Sequence, residues 1–307
     1  MSWNSETKTF TGKFEEIPEE LYEVIEVWDC SWLQLTVLPK ELGKLTSLRT
    51  LNCSWNQLTS LPESLWSLTS LRVLTCYRNR LTSLPESLGR LTSLERLFCS
   101  GNQLTSLPES LGSLTSLQML YCSDNRLTSL PDSLGRLTSL LELNCSDNRL
   151  TSLPDSIGDI TSLWELNCSY NQLTKFPKSL GNLIYLRRLY CSNNQLTSLP
   201  DFLGKLTSLE RLLDCSDNEL TRLPESLGSL TSLQYLYCER NQLTSLPESL
   251  GSLTLSRTLD CSYNPLTSLP IELLRNVNSE IDISHTPIER QYGSHLVYKR
   301  QTLGMAH

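Results

Sequence analysis

Between Leu120 and Cys122 apolar side chains recur at a period of two. Leu120 and Cys122 therefore share one face of a short strand, while Met119, Tyr121 and Ser123 point the other way. From Leu127 onward the spacing changes, and leucines return every three or four residues at Leu127, Leu130, Leu134 and Leu137. With Pro131 restricting the chain and Gly135 loosening it, this half is expected to form turns and short helical segments. Strand and return segment make one coil, and the coil recurs along the chain. Cys30, Cys53, Cys76, Cys99, Cys122, Cys145, Cys168 and Cys191 lie 23 residues apart, and Cys215, Cys238 and Cys261 resume that stride after one 24-residue step. The asparagines from Asn56 to Asn264 and the prolines from Pro39 to Pro270 follow the same period. A fixed period of about 20 to 50 residues marks a solenoid.

Stacked coils align their strands in parallel and point their leucines into an interior that no single coil can bury. Strands advance about 4.8 Å per coil, while the bulkier return side needs more room, so the stack is expected to curve with its sheet on the concave side. Asn125 and its equivalents stand among leucines; a buried amide needs partners, and the expected ones are backbone groups of its own and the next coil. The arrangement L-x-x-L-x-C-x-x-N-x-L followed by x-x-L-P-x-x-L-G-x-L resembles the leucine-rich repeat family. It is most similar to the 23-residue bacterial and plant intracellular subclass, with Cys where that family more often has Leu. The resemblance runs from about Ile17 to Ile288 in eleven or twelve copies. It implies an α/β repeat solenoid, a right-handed horseshoe with a parallel β-sheet on the concave face and turns or short 3-10 or helical segments on the convex face. It also implies binding of other macromolecules, usually proteins, on the concave face.

Three stretches are expected: a cap over residues 1–24, the solenoid over 25–288, and a C-terminal cap or tail over 289–307. In the first coil Trp28 takes a leucine place and Leu33 the asparagine place, as suits a coil with one neighbour. Phe10, Phe14 and Ile17 are expected to cover the open end of the core. At the other end Ile281, Ile283 and Ile288 continue the strand pattern, with Thr286 at the asparagine place. The tail either folds over the last coil through Leu296, Val297 and Tyr298 or hangs free, and folding over is the expectation. Two irregularities interrupt the repeat. One extra residue between Leu209 and Cys215 forces Leu212 or Leu213 out of its inward place, through an accommodated insertion or a bulge entering the strand. At Leu255-Ser256 the usual Ser-Leu order is inverted, which calls for a local backbone shift.

Composition narrows the function classes. A net charge of −7 and a pI near 5.2 lack the basic footprint of a nucleic-acid binder. No apolar run approaches the roughly 18 residues of a membrane span, and Met1 to Phe14 is polar, unlike an export signal. The eleven cysteines form a ladder. In-register neighbours do not readily supply disulfide torsions, and a ladder does not converge on a metal, so free buried thiols are expected, with no cofactor. Such a core suits a reducing compartment, hence a cytoplasmic setting or delivery into a host cell.

Catalysis has little to work with. His285, His295 and His307 are the only histidines, and no phosphate-binding glycine loop or Gly-x-Ser-x-Gly elbow is present, so no enzyme is expected. Variation between copies concentrates on strand positions facing away from the core. Trp32 and Trp55 are adjacent near the N-terminal end. Phe98, Met119 and Tyr121 form an apolar spot beside Arg78 and Arg96. Asp124, Glu142, Asp147 and Glu165 make an acidic stretch before Tyr170 and Tyr190, and Tyr237 follows further on. Aromatics and arginine are what interface hot spots favour, whereas drift on a solvated sheet would leave aromatics placed by strand propensity. The expected function is a monomeric, non-enzymatic protein-interaction module of bacterial-effector type. The alternative is a structural, self-assembling or artificial repeat scaffold without an evolved ligand.

Overall fold

The computed structural model describes residues 2–253, 258–276, 280–293 and 295–297. The chain divides into two compact units, Met1–Leu163 and Trp164–His307, although the sequence repeat continues across the division. In the first unit the strands are β1 (Ser2–Asn4), β2 (Thr9–Thr11), β3 (Val27–Asp29), β4 (Thr50–Asn52), β5 (Val73–Thr75), β6 (Arg96–Phe98), β7 (Met119–Tyr121) and β8 (Glu142–Asn144). β1 pairs antiparallel with β2, and from β2 to β8 every neighbour is parallel. The second unit contains β9 (Glu165–Asn167), β10 (Arg188–Tyr190), β11 (Leu212–Asp214), β12 (Tyr235–Tyr237), β13 (Thr258–Asp260), β14 (Glu280–Asp282) and β15 (His295–Val297). β9 to β14 pair in parallel and β15 pairs antiparallel with β14.

Each strand keeps its period-two pattern. The central Leu97, Leu120 or Leu143 and the cysteine just beyond are essentially inaccessible, and their neighbours are partly exposed. The return segments are five-residue 3-10 turns, such as Glu109–Ser113, each entered through a proline. Pro108 sits at φ −70°, which sets the entry, and Leu111 N–H then donates to its carbonyl at 3.1 Å. Return segments satisfy their backbone largely within the coil, whereas strands satisfy theirs between coils.

The asparagine ladder joins coils in one direction. Asn102 Nδ2 donates to the carbonyls of Cys99 and Ser100 in its own coil, and to Cys76 in the preceding one. Its Oδ1 accepts from Leu81 N–H of the preceding coil. Asn218 repeats the pattern with Cys215, Ser216, Cys191 and Leu196. The amide thus reaches back to the preceding coil, where the sequence suggested the next one. The thiols reach the other way: Cys122 Sγ donates to Asn144 O at 3.4 Å, and Cys215 to Tyr237 O at 3.3 Å. All eleven are free and buried, and burial pushes the ionisation of Cys53, Cys99, Cys122 and Cys238 well up, and that of Cys76 and Cys145 up to about 12.

Glycine in the return segment has a packing role, in place of the loosening its context suggests. A Cβ on Gly135 would lie 2.7 Å from the backbone oxygen of Ser156 in the next coil, so the bare Cα permits that approach. Around Leu209 to Cys215, Leu213 is fully buried and Leu212 turns outward, with β11 in regular register with β10. The extra residue is absorbed at the strand entrance. Elsewhere two successive amides converge on one carbonyl, as Arg72 and Val73 do on Arg49; here Gln234 donates to Glu210 and Tyr235 to Arg211.

At the N-terminal end Phe10, Phe14 and Ile17 are buried, and Trp28 is fully buried with Nε1 donating to Gly12 O at 3.0 Å. At the other end Thr286 is buried and its hydroxyl donates to Ile283 O. Helix α1 (Ile271–Asn276) precedes β14, and α2 (Glu289–Tyr292) leads into β15, whose backbone returns alongside β14. The inverted Leu255-Ser256 pair and the chain from Tyr298 onward lie outside the described residues.

Candidate interaction surface

Two residues beyond each cysteine the backbone enters the left-handed region. Trp32, Trp55, Arg78, Gly101, Asp124, Asp147, Tyr170, Asn193, Asp217, Arg240 and Tyr263 share this conformation with His285 after Ile283, at φ between 48° and 66°. The turn ends the strand and swings the chain toward the ladder asparagine. It is held in place because the N–H there donates across to the next coil, as Trp55 does to Tyr77 O and Arg78 to Ser100 O, both at 2.9 Å, whereas His285 N–H donates to Glu289 Oε2. A side chain there is splayed at the edge of the sheet. Residues other than Gly, Asn and Asp adopt this conformation at a cost of about 1–2 kcal/mol each.

In the first unit the rings of Trp32 and Trp55 stack at 4.1 Å, with Trp32 65% exposed. Arg78 places its guanidinium 5.2 Å over Trp55 and donates Nε–H to the Tyr77 hydroxyl at 3.3 Å. It therefore extends the tryptophan pair, where the sequence had set it beside Phe98. Gly101 leaves room for it, since a Cβ there would come within 3.0 Å of Arg78 Cδ. Phe98 and Tyr121 pack at 5.0 Å, and Met119 stands in register between Arg96 and Glu142. The Tyr121 hydroxyl donates to Glu142 Oε2. Asp124 and Asp147 occupy left-handed positions, where a short acidic side chain fits with least strain.

In the second unit Glu165 pairs with Arg188 at 2.7 Å, and Tyr170 is 55% exposed. Tyr190 and Tyr237 are half-buried, and Tyr237 stacks with Tyr235 at 6.1 Å. Burial, then the Glu165 carboxylate, raises the Tyr190 phenol. Arg240 lies 4.3 Å over Tyr263, which itself stacks on His285 at 4.1 Å. A depression of about 570 Å³ runs beside this edge, lined by Tyr170, Asn193, Asp217 and Arg240 among others.

The register also aligns Tyr190, Asp214, Tyr237 and Asp260 on adjacent strands. Next to them Glu239 carries a fully buried Oε2 without a hydrogen-bond partner. Burial, followed by the charges of Asp260, Asp214 and Asp217, raises its carboxyl to about 7. This group was missed from the sequence, although a signal exists. The residue after each cysteine is serine except at Tyr77 and Glu239. Among the described residues no three His, Cys, Asp or Glu side chains converge as metal ligands, and no helix is long and apolar enough to cross a membrane.

Family models for leucine-rich repeats match residues 46–89, 69–113, 99–192, 185–206 and 211–252. A leucine-rich-repeat protein of Leptospira interrogans superposes with a TM-score of 0.75 at 33% identity, over 87% of this chain and 74% of that one. The chain belongs to the leucine-rich repeat family. The functional domain of InlJ from Listeria monocytogenes, described as including a cysteine ladder, is 33% identical with a TM-score of 0.73, over 88% of this leucine-rich-repeat chain and 55% of its own. The Arabidopsis receptor kinase HAESA, solved with the peptide hormone IDA and the co-receptor SERK1, is 30% identical with a TM-score of 0.72, over 90% and 48%. This chain thus spans about half the length of the InlJ and HAESA chains. No curated protein matches it. Leucine-rich repeats typically mediate protein binding, and the family is typically non-catalytic.

Proposed function

We propose that the chain is a non-enzymatic interaction module that takes a protein partner on the outward face of its strands. The left-handed column carries this reading. Six of its twelve positions hold Trp, Tyr or Arg, side chains that raise the cost of that backbone where Gly, Asn or Asp would lower it. They are also the residue types on which interfaces concentrate binding energy. HAESA, solved with a peptide hormone and a co-receptor, supports a peptide or protein as the class of ligand. Eleven free thiols support a reducing setting, the cytoplasm or the interior of a host cell reached as an effector.

The test compares affinity for a captured partner between two sets of variants. Replacing Trp32, Trp55 and Tyr170 by alanine should weaken binding by at least about thirtyfold, the equivalent of one hot spot of about 2 kcal/mol. Neutralising Glu63 and Glu109 on the return side should leave it unchanged. Equal affinity of the strand-face variant and the wild type would overturn the reading.

A further inference from the structure

Successive coils of this chain are nearly identical, so departures that touch one another in space stand out, and one such group lies in the first unit. Trp32, Trp55, Arg78 and Gly101 are consecutive members of the left-handed column, and Tyr77 stands where every other coil but that of Glu239 has serine. These five are fitted to one another. The indoles of Trp32 and Trp55 stack at 4.1 Å, the Tyr77 ring meets Trp55 edge-on at 5.5 Å, and Arg78 lies 5.2 Å over Trp55 and 5.6 Å from the centre of the Tyr77 ring. Gly101 is the one glycine of the column, and a Cβ in its place would press on Arg78 Cδ at 3.0 Å.

Two surfaces of this group are left open. Coil order places Trp32 and Arg78 on opposite faces of Trp55, and Tyr77 takes its edge, so Trp55 forms the middle of the stack. Trp32 is 65% exposed, and beyond Trp55 no ring or cation among the described residues packs on it. Arg78 uses only its Nε–H within the group, on the Tyr77 hydroxyl at 3.3 Å. It forms no ion pair among the described residues, and the nearest acid of the column, Asp124, stands two coils on, beyond Gly101. A guanidinium held flat by two rings presents a fixed fork of N–H donors, which matches a carboxylate through two parallel hydrogen bonds. The stacking steps of 4.1 Å and 5.2 Å together span about 9 Å. A ring on the open face of Trp32, about 4.5 Å further out, would stand about 14 Å from Arg78, which is four residues of extended chain at about 3.4 Å each. Residues four apart on such a chain point to the same side.

We infer that this column docks an extended segment of the protein partner that carries an aromatic residue and, four positions away, an aspartate or glutamate; the ring stacks on Trp32 and the carboxylate meets Arg78. This rests on the reading of the strand face as a protein-binding surface and names the chemistry of the partner. The unpaired guanidinium is what calls for an acid. A basic side chain would meet Arg78 with like charge, and an apolar one would cover the fork and leave its donors without acceptors. The net charge of −7 repels acidic segments at long range, so attraction is confined to the place where Arg78 stands.

The experiment titrates the full chain into a fluorescent peptide, Gly-Ser-Phe-Ser-Ser-Ser-Asp-Ser-Gly, and separately into the same peptide in reverse order, followed by anisotropy. Saturable binding of at least one is expected. It should weaken at least tenfold when the peptide's aspartate becomes asparagine, and as much when the protein carries Arg78→Asn or Trp32→Asn. Asparagine is at ease in the left-handed backbone, so both variants should keep the wild-type circular dichroism, which separates lost binding from lost folding. Moving the peptide's aspartate one residue toward the phenylalanine turns it to the other side, and should cost as much affinity as Arg78→Asn. Absence of saturable binding of both peptides at millimolar concentration would overturn the inference. So would an equal loss with Arg136→Gln on the return side, which would reduce the effect to net charge. Displacement of the peptide by inorganic phosphate at equal concentration would also overturn it, by making a small anion the occupant. If the peptides fail while a partner is still lost on replacing Trp32, Trp55 and Tyr170, the acidic-segment assignment falls and the protein-binding reading stands. If the partner is indifferent to those three residues as well, both fall.

Discussion

Replacing Asn102 by leucine removes four hydrogen bonds while keeping the branched outline of the side chain. Nδ2 donates to Cys76 O and Cys99 O at 3.0 Å and to Ser100 O at 3.3 Å, while Oδ1 accepts from Leu81 N–H at 2.9 Å. The residue is 8% exposed and Leu81 is fully buried, so water cannot readily take over these groups. An unsatisfied buried polar group costs about 1–3 kcal/mol, and the variant strands the Leu81 amide together with at least one inter-coil carbonyl. Against a sum of about 4 kcal/mol, the added apolar burial returns about 1, leaving a net loss of about 3 kcal/mol. Repeat arrays lose structure by neighbouring coils, so the loss should be local. Native-state hydrogen exchange is the assay. The amides of Leu81 and Leu104 should exchange about a hundredfold faster, since about 1.4 kcal/mol corresponds to a factor of ten. Urea unfolding followed by circular dichroism should show an earlier onset. A loss below about 1 kcal/mol, or acceleration spread evenly to the coil of Trp28, would refute the view that the ladder amide is what ties adjacent coils.

Gly135→Ala should lower the melting temperature, although an alanine in a helical turn ordinarily gains up to about 1 kcal/mol. The new Cβ meets the Ser156 backbone oxygen at 2.7 Å, and overpacking of this kind costs about 1–3 kcal/mol; an unchanged or higher melting point would contradict the packing role. The eleven thiols should be silent toward a thiol reagent at pH 8 in the folded chain and react in full in denaturant, because burial excludes the reagent and, at Cys53 and Cys122 among others, raises the thiol's ionisation. Stoichiometric labelling of even two cysteines before unfolding would contradict their placement on the core side.

The period, the inward faces and the coil were legible because each rests on spacing that holds in every copy. Leu120 and Cys122 point inward for the same reason as Leu97 and Cys99. What resisted reading depends on single positions or on backbone sign. The left-handed turn at Trp55 or Arg240 is invisible in residue type, since those side chains disfavour it and inter-coil hydrogen bonds impose it. Arg78 could lean toward either aromatic group; the tryptophan face and the space over Gly101 decide where it lies. Trp66 takes the place that return segments give to glycine and is fully buried there, which repeat logic alone would not allow. Glu239 was concealed for the opposite reason: one substitution in a column of serines looks like drift until its buried oxygen and acidic neighbours are seen together.

The left-handed column sets durability and recognition against each other at the same residues. Glycine or asparagine at Trp55, Tyr170 or Tyr263 would relax the backbone and strip the surface of its anchors in one step. A lineage selected for heat resistance alone would drift toward a smoother, blander sheet edge, and one selected for its ligand would keep paying in melting temperature. Engineering a more robust version of this chain should therefore begin with the prolines, leucines and asparagines of the frame and leave the strained positions as they are.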